Sequence, residues 1–293
     1  MSYSAGIKSV KRKVPRGVFS NSSLDLSVIP TGILSEMWPS KTRLHRCVYM
    51  RHIGGVKLNA DVGEGIGDDE SLFRWIEMAN VACGAHAGGP EEMTEAVDLA
   101  MSYGVAVGAH PGYPDREGFG RKSMKLSSAE LTRVVIEQVE ALDAICQQAG
   151  TKLQYVKPHG ALYHDMMAYQ EVYEAMLQVV ASLPHSPALM IMAREDDALD
   201  RRLAAMHGVA LLFEAFADRA YTAQGTLLDR AEPGAVYSDS ERMLEQVMQL
   251  AHEGGVTSYC GKTIAIAADT ICVHGDNQAS IEAAKQIHLA LRP

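Results

Sequence analysis

The sequence has 293 residues, is 47% hydrophobic and carries a formal net charge of -9. That length and apolar share suffice to bury a large core, whereas the acidic balance excludes a nucleic-acid binder that neutralises phosphates with clustered Lys and Arg. No stretch approaches the roughly 20 consecutive apolar residues that a membrane-spanning helix needs, so neither nucleic acid nor membrane is an expected partner.

The first 55 residues stand apart, with nine Lys or Arg against two acids. They are read as a basic, disordered N-terminal extension, followed by a single domain over residues 56–293. Five cysteines (Cys47, Cys83, Cys146, Cys260, Cys272) without a CxxC spacing signal neither a disulfide framework nor a Cys-rich zinc site. A reducing, cytoplasmic setting is therefore expected. The alternative is mitochondrial, because the Ser- and Arg-rich, acid-poor start has transit-peptide character.

From residue 56 onward, short apolar runs alternate with helical patterns, the signature of repeated βα units around a parallel sheet. Seven strands are predicted, at residues 56–61, 80–84, 105–110, 155–159, 188–193, 209–216 and 263–274. Between them, Met93, Ala96, Val97, Ala100 and Met101 form one helical stripe, and Leu131, Val134, Val135, Leu142 and Ile145 form another. Ser127 with Glu130, and Ser238 with Glu241, have capping-box spacing. Asp68 and Asp276 are candidate N-caps. Periodicity leaves open whether the sheet closes into a barrel. In either architecture, functional groups gather at the C-terminal ends of the strands.

Polar residues fall at those ends. Five apolar runs finish on an acid or histidine beside small residues: Leu58-Asn59-Ala60-Asp61, Cys83-Gly84-Ala85-His86, Gly108-Ala109-His110, Val156-Lys157-Pro158-His159 and Cys272-Val273-His274-Gly275-Asp276. A sixth, Phe213-Glu214-Ala215-Phe216-Ala217-Asp218-Arg219, adds two acids and a base. Parallel neighbours would bring all six to one rim. The charge- and glycine-rich loop at residues 111–121 is expected to cover it, with Arg116 or Arg121 holding a carboxylate or phosphate through a planar fork. The segment from Gly255 to Thr263 resembles a phosphate-binding loop but has five residues between its glycines where four are required, and is read as a structural turn.

Taken together, these strings resemble the LamB/YcsF family, known as the A subunit of 5-oxoprolinase. Carrying the resemblance are Leu58-Asn59-Ala60-Asp61-Val62-Gly63-Glu64-Gly65, Asn80-Val81-Ala82-Cys83-Gly84-Ala85-His86-Ala87-Gly88 and Gly108-Ala109-His110-Pro111. Pro114-Asp115-Arg116, Phe119-Gly120-Arg121 and Val156-Lys157-Pro158-His159-Gly160-Ala161-Leu162-Tyr163 continue it, ending with Glu214-Ala215-Phe216-Ala217-Asp218-Arg219-Ala220-Tyr221 and Cys272-Val273-His274-Gly275-Asp276. The resemblance implies an irregular seven-stranded β/α barrel of the glycoside hydrolase/deacetylase type. It also implies ATP-dependent opening of 5-oxoproline to L-glutamate together with partner subunits B and C.

For that chemistry, Asp61, His86, His110 and His159 are expected to position the lactam or a divalent metal, with His274 on the same rim. Glu64 or Asp218 would handle protons, Lys157 and Arg219 would stabilise developing negative charge, and Arg116, Arg121, Tyr221 and Asp276 are candidates for substrate or phosphate contact. The metal candidates are Asp61, His86, His110 and His159, since imidazole and carboxylate suit zinc or a similar ion. Two other functions stay open: an independent metal-dependent amide or polysaccharide deacetylase, and a non-catalytic scaffold subunit.

Overall fold

The computed structural model describes residues 55–275 and 278–292, so the expectations for the basic extension and for Asp276 lie outside the described residues. Strands β1 (Lys57–Val62), β2 (Met78–Ala82), β3 (Ala106–His110), β4 (Tyr155–Val156), β5 (Ala188–Met192) and β6 (Leu211–Phe216) pair in parallel, each with the next. A short antiparallel pair, β7 (Gly255–Thr257) and β8 (Thr263–Ala265), stands outside that sheet. Strand β9 (Thr270–Cys272) then inserts between β6 and β1 and closes a seven-stranded parallel barrel, as expected. No helix of the described residues is long and apolar enough to cross a membrane.

The helices are α1 (Asp69–Phe73), α2 (Pro90–Tyr103), α3 (Ser128–Gln148), α4 (Gly160–Ala168), α5 (Gln170–Ser182), α6 (Ala198–His207), α7 (Ser240–Glu253) and α8 (Gln278–Leu291). Met93, Ala96, Val97 and Ala100 of α2 are buried as predicted, but Met101, near the C-terminal end of the helix, is 47% exposed. The capping box of Ser127 and Glu130 forms at the start of α3. The one predicted at Ser238 does not. Asp239, one residue later, caps α7 by accepting from the Glu241 N–H at 3.0 Å, and its carboxylate suits the positive end of the helix dipole.

Strand side chains alternate between two environments. Leu58, Ala60 and Val62 of β1, with Val81, Val107, Val156, Ile191, Ala215 and Ile271, pack in the main core among residues of the surrounding helices. The opposite parity fills the barrel interior. Near its N-terminal end Met78, Tyr155 and Met190 form a small apolar plug flanked by Ala106, Ala188 and Leu212. A Cβ at Gly108 would overlap the Tyr155 ring, so the missing side chain is what admits this tyrosine.

Above the plug the interior turns polar, and its first layer is a connected hydrogen-bond network. Tyr155 Oη donates to Asn80 Oδ1 (2.7 Å), Asn80 Nδ2 to Asn59 Oδ1 (2.8 Å), Asn59 Nδ2 to Thr270 Oγ1 (2.9 Å) and Thr270 Oγ1 to the Lys57 carbonyl (3.0 Å). A buried network with every member paired fixes a unique arrangement, whereas any unpaired member would be costly. This layer supports the functional groups above it.

Three strand predictions need correction. The fourth strand, predicted at 155–159, ends at Val156. Residues 263–274 are not one strand but β8 and β9. Between them Asp269 donates its N–H to the Phe213 carbonyl (2.7 Å) and accepts the Phe213 N–H on Oδ2 (2.9 Å), which pins the chain as it enters the barrel. The second strand begins at Met78 rather than residue 80 and ends at Ala82, since Gly84 turns with φ 87°. The phosphate-loop look-alike is a turn, as expected: it joins β7 to β8, with Ser258 N–H bonded to the Lys262 carbonyl at 2.8 Å.

Candidate active site

Asp61, His86, His110, Lys157 and His159 converge at the C-terminal mouth of the barrel. Lys157 lies at its centre, 3% exposed, with Nζ 2.9 Å from Asp61 Oδ1, 2.8 Å from Glu214 Oε1 and 3.3 Å from Asn59 Oδ1. Burial works against its ammonium, but Asp61, Cys272 and Glu214 outweigh that and hold its pKa well above the usual lysine value. Asp61 answers in kind. Burial opposes its charge, yet His110 and Lys157 keep its carboxyl well below the usual carboxylate range.

Beside this pair stand three imidazoles. The rings of His86 and His159 stack face to face with centroids 3.8 Å apart, and His110 meets both edge-on. His110 Nε2 lies 3.3 Å from Asp61 Oδ2 and 2.9 Å from His159 Nδ1. Glu64 Oε1 lies 3.4 Å from His86 Nε2 and 3.5 Å from His159 Nδ1. Burial, followed by the neighbouring His110, pushes His86 down to about 3; burial, then His110 and His86, push His159 down to about 2. Both rings are therefore neutral at neutral pH.

A second pair, His274 and Asp218, occupies the rim where β6 and β9 end, with Nδ1 2.8 Å from Oδ2. Burial disfavours the imidazolium, but Asp218 overrides it and raises His274 to about 9. Asp218 is lowered correspondingly: His274 prevails over burial. One of the terminal nitrogens of Arg219 donates to the Leu228 carbonyl at 2.7 Å, while its buried Nε makes no hydrogen bond among the described residues. Tyr221 is a correction. Its fully buried hydroxyl accepts the Phe216 N–H at 2.9 Å and so ties down the end of β6 instead of facing a ligand.

The loop at residues 111–121 covers the imidazoles, and its arginines make contacts within the chain. Arg116 donates to the Gly84 carbonyl at 3.0 Å, and the Arg121 guanidinium lies 5.1 Å from the centre of the Phe119 ring. The loop acts through its backbone. Gln138 of α3 brackets Gly112 with two hydrogen bonds (3.0 and 2.9 Å), and Phe119, at φ 54°, turns its carbonyl toward His159 Nε2 at 2.9 Å. A Cβ at Gly120 would sit 2.9 Å from His86 Cβ and 3.0 Å from His159 Cδ2, so only glycine lets the loop approach this closely.

Four contributors escape a reading of strand ends alone: Asn59, Asn80, Tyr163 and the Phe119 carbonyl. Glu214 is visible in its motif without an evident role; the fold gives it one, with Oε1 on Lys157 and Oε2 accepting from Tyr163 Oη at 2.8 Å. The signal for Asn59 and Asn80 is present. Each is an amide within an apolar run, two residues from Asp61 or directly paired with it in register.

The surrounding chain is similar to known proteins along nearly all of the barrel. Residues 56–293 match the LamB/YcsF family. A Vibrio cholerae protein named as the A subunit of 5-oxoprolinase is 44% identical over 241 residues, covering 80% of this chain and 97% of its own. A Pseudomonas putida protein, named as the second of that organism's 5-oxoprolinase A subunits, is 46% identical over 239 residues, covering 80% and 93%. Among solved structures, a lactam utilization protein from Thermus thermophilus superposes with a TM-score of 0.75 at 37% identity, covering 81% of this chain and 96% of that one. On the family match and these identities, the chain belongs to the LamB/YcsF family.

Proposed function

We propose that this chain is the A subunit of an ATP-hydrolysing 5-oxoprolinase, opening the lactam of 5-oxoproline to L-glutamate together with subunits B and C. Similarity to relatives bearing that name, at 44% identity over 97% of their length, carries the proposal. A five-membered lactam keeps full amide resonance and little ring strain, so its opening is coupled to ATP. Arg116 and Arg219 bond to carbonyls, Arg121 stacks on Phe119, and the loop closest to a phosphate motif is a β-turn. On that ground we assign ATP to the partner subunits.

The chain's own groups suit the amide end of the reaction. Asp61, whose Oδ1 is held by Lys157 and Asn80, accepts a hydrogen bond on Oδ2 and so orients a lactam N–H or an attacking water. The Lys157 ammonium supplies positive charge where the carbonyl oxygen becomes negative, in a buried setting that strengthens it. His274, protonated at neutral pH through Asp218, can give a proton to the departing ring nitrogen.

The test is to follow ADP and glutamate formed from 5-oxoproline by this chain alone and with subunits B and C. Coupled formation of both only in the combined sample is expected. The imidazole cluster favours one other reading, an amide hydrolase acting alone. That reading requires turnover by the isolated chain without ATP, and loss of it on chelation.

A further inference from the structure

The outer hydrogen bonds of two imidazoles fix where their protons lie. His110 Nδ1 is 2.7 Å from the Lys157 carbonyl and His159 Nε2 is 2.9 Å from the Phe119 carbonyl. A carbonyl oxygen only accepts, so each of these nitrogens carries the N–H. In a neutral imidazole the other nitrogen then presents a lone pair. Those two lone-pair atoms, His110 Nε2 and His159 Nδ1, face each other at 2.9 Å.

Such a contact is repulsive unless a positive centre lies between the pair. A proton on His110 would satisfy these two atoms, but it would leave His86, which is 1% exposed and has no hydrogen bond at either ring nitrogen. A metal ion satisfies more. One ligand atom from each of Glu64, His86, His110 and His159 lies within 4.8 Å of all the others. Bonds of about 2.0–2.1 Å from imidazole and carboxylate to zinc place neighbouring ligand atoms about 2.9–3.4 Å apart, from right-angled to tetrahedral geometry. Three of the six separations here are 2.9, 3.4 and 3.5 Å and the rest lie within 4.8 Å, so ring rotations that unstack His86 from His159 bring all four atoms onto one ion.

We propose that Glu64, His86, His110 and His159 form a binding site for one divalent transition-metal ion of the zinc class. Three imidazoles and a carboxylate are a donor set for zinc, cobalt or nickel, not for magnesium or calcium, which prefer all-oxygen sites. The Lys157 and Phe119 carbonyls are the outer partners that fix ring orientation in such sites. The set differs from the one expected from sequence in taking Glu64 in place of Asp61. Asp61 Oδ1 is already committed to Lys157 Nζ and Asn80 Nδ2, at 2.9 and 2.8 Å, and its Oδ2 lies 3.3 Å from one imidazole nitrogen, His110 Nε2, whereas Glu64 Oε1 lies near both His86 and His159. An ion here would polarise a carbonyl or acidify a bound water at the barrel mouth. Metal binding at these four residues does not depend on the substrate being a lactam.

The test uses the full chain, stripped by chelation and titrated with cobalt(II), with metal content measured on the purified protein. One ion per chain is expected, with the strong visible absorption of low-coordinate cobalt, displaced by zinc. His159→Ala and His86→Ala should each weaken binding by about a hundredfold or more. Glu64→Gln, which keeps the shape and removes the charge, should change the cobalt spectrum with the circular dichroism unaltered. His252→Ala, at an exposed histidine on α7, should leave binding as it was. The proposal is overturned if the wild-type chain binds no stoichiometric metal. It is equally overturned if the His86 and His159 variants keep wild-type affinity, or if His252→Ala loses as much.

Discussion

Replacing Lys157 by methionine tests the electrostatic centre of the barrel. Methionine keeps most of the volume but removes the ammonium from between Asp61 and Glu214, which lie 2.9 and 2.8 Å from it. Glu214 is fully buried, so water cannot take over. Breaking a buried ion pair by deleting one partner costs about 3–5 kcal/mol, because a charge is left uncompensated. For a domain of this size, about 2–4 °C of melting temperature is lost per kcal/mol, which gives a drop of roughly 6–20 °C. The loss should shrink as pH falls, since protonating a stranded buried carboxylate relieves it. Lys157→Met combined with Glu214→Gln should regain part of the loss. Scanning calorimetry of both variants between pH 5 and 8 reads all three outcomes. A drop of less than about 2 °C, or a double variant no more stable than the single one, would refute the reasoning.

Three further outcomes are expected. The His274–Asp218 pair should stabilise the fold below the unfolded histidine pKa of about 6.5. That contribution is lost as pH rises through about 9, because the folded state holds a proton that the unfolded state has released. Asp218→Asn should flatten the slope in urea unfolding across that window; an unchanged slope would show that the pair does not titrate this way. Tyr221→Phe should cost about 1–2 kcal/mol of stability by leaving the Phe216 N–H unpaired, with KM for 5-oxoproline in the reconstituted complex unchanged. A raised KM with full stability would return Tyr221 to the substrate. Gly120→Ala, at φ 62° and 2.9 Å from His86 Cβ, should cost about 1 kcal/mol or more and lower turnover at least tenfold by pushing the loop off the imidazoles. Unaltered turnover would mean that the close approach is unimportant.

The barrel is legible in the sequence because its strands are buried on both sides and read as apolar runs. The rim is legible because polar residues interrupt those runs at the points where strands open toward solvent. The barrel interior is harder to read. Asn59, Asn80 and Glu214 are visible as polar residues within apolar runs, but their roles emerge only once the register sets them on the same side as Asp61 and Lys157. The Phe119 carbonyl has no side-chain signature at all, since it enters the site through a positive φ and a loop anchored by Gln138. The division of residues 263–274 into two strands turns on Asp269, whose pairing with Phe213 spans 56 positions of sequence. The intramolecular partners of the two loop arginines are hidden for a related reason: charge density marks a loop as polar but does not name the backbone carbonyl or ring that each arginine meets.

Turnover by the assembled complex tests the proposed activity most directly. With subunits B and C, the wild-type chain should form glutamate and ADP together from 5-oxoproline. A chain carrying Asp61→Asn should still assemble with its partners yet lose glutamate formation by at least a hundredfold. Full turnover by the Asp61→Asn complex, or no turnover by the wild-type chain in any combination, would contradict it.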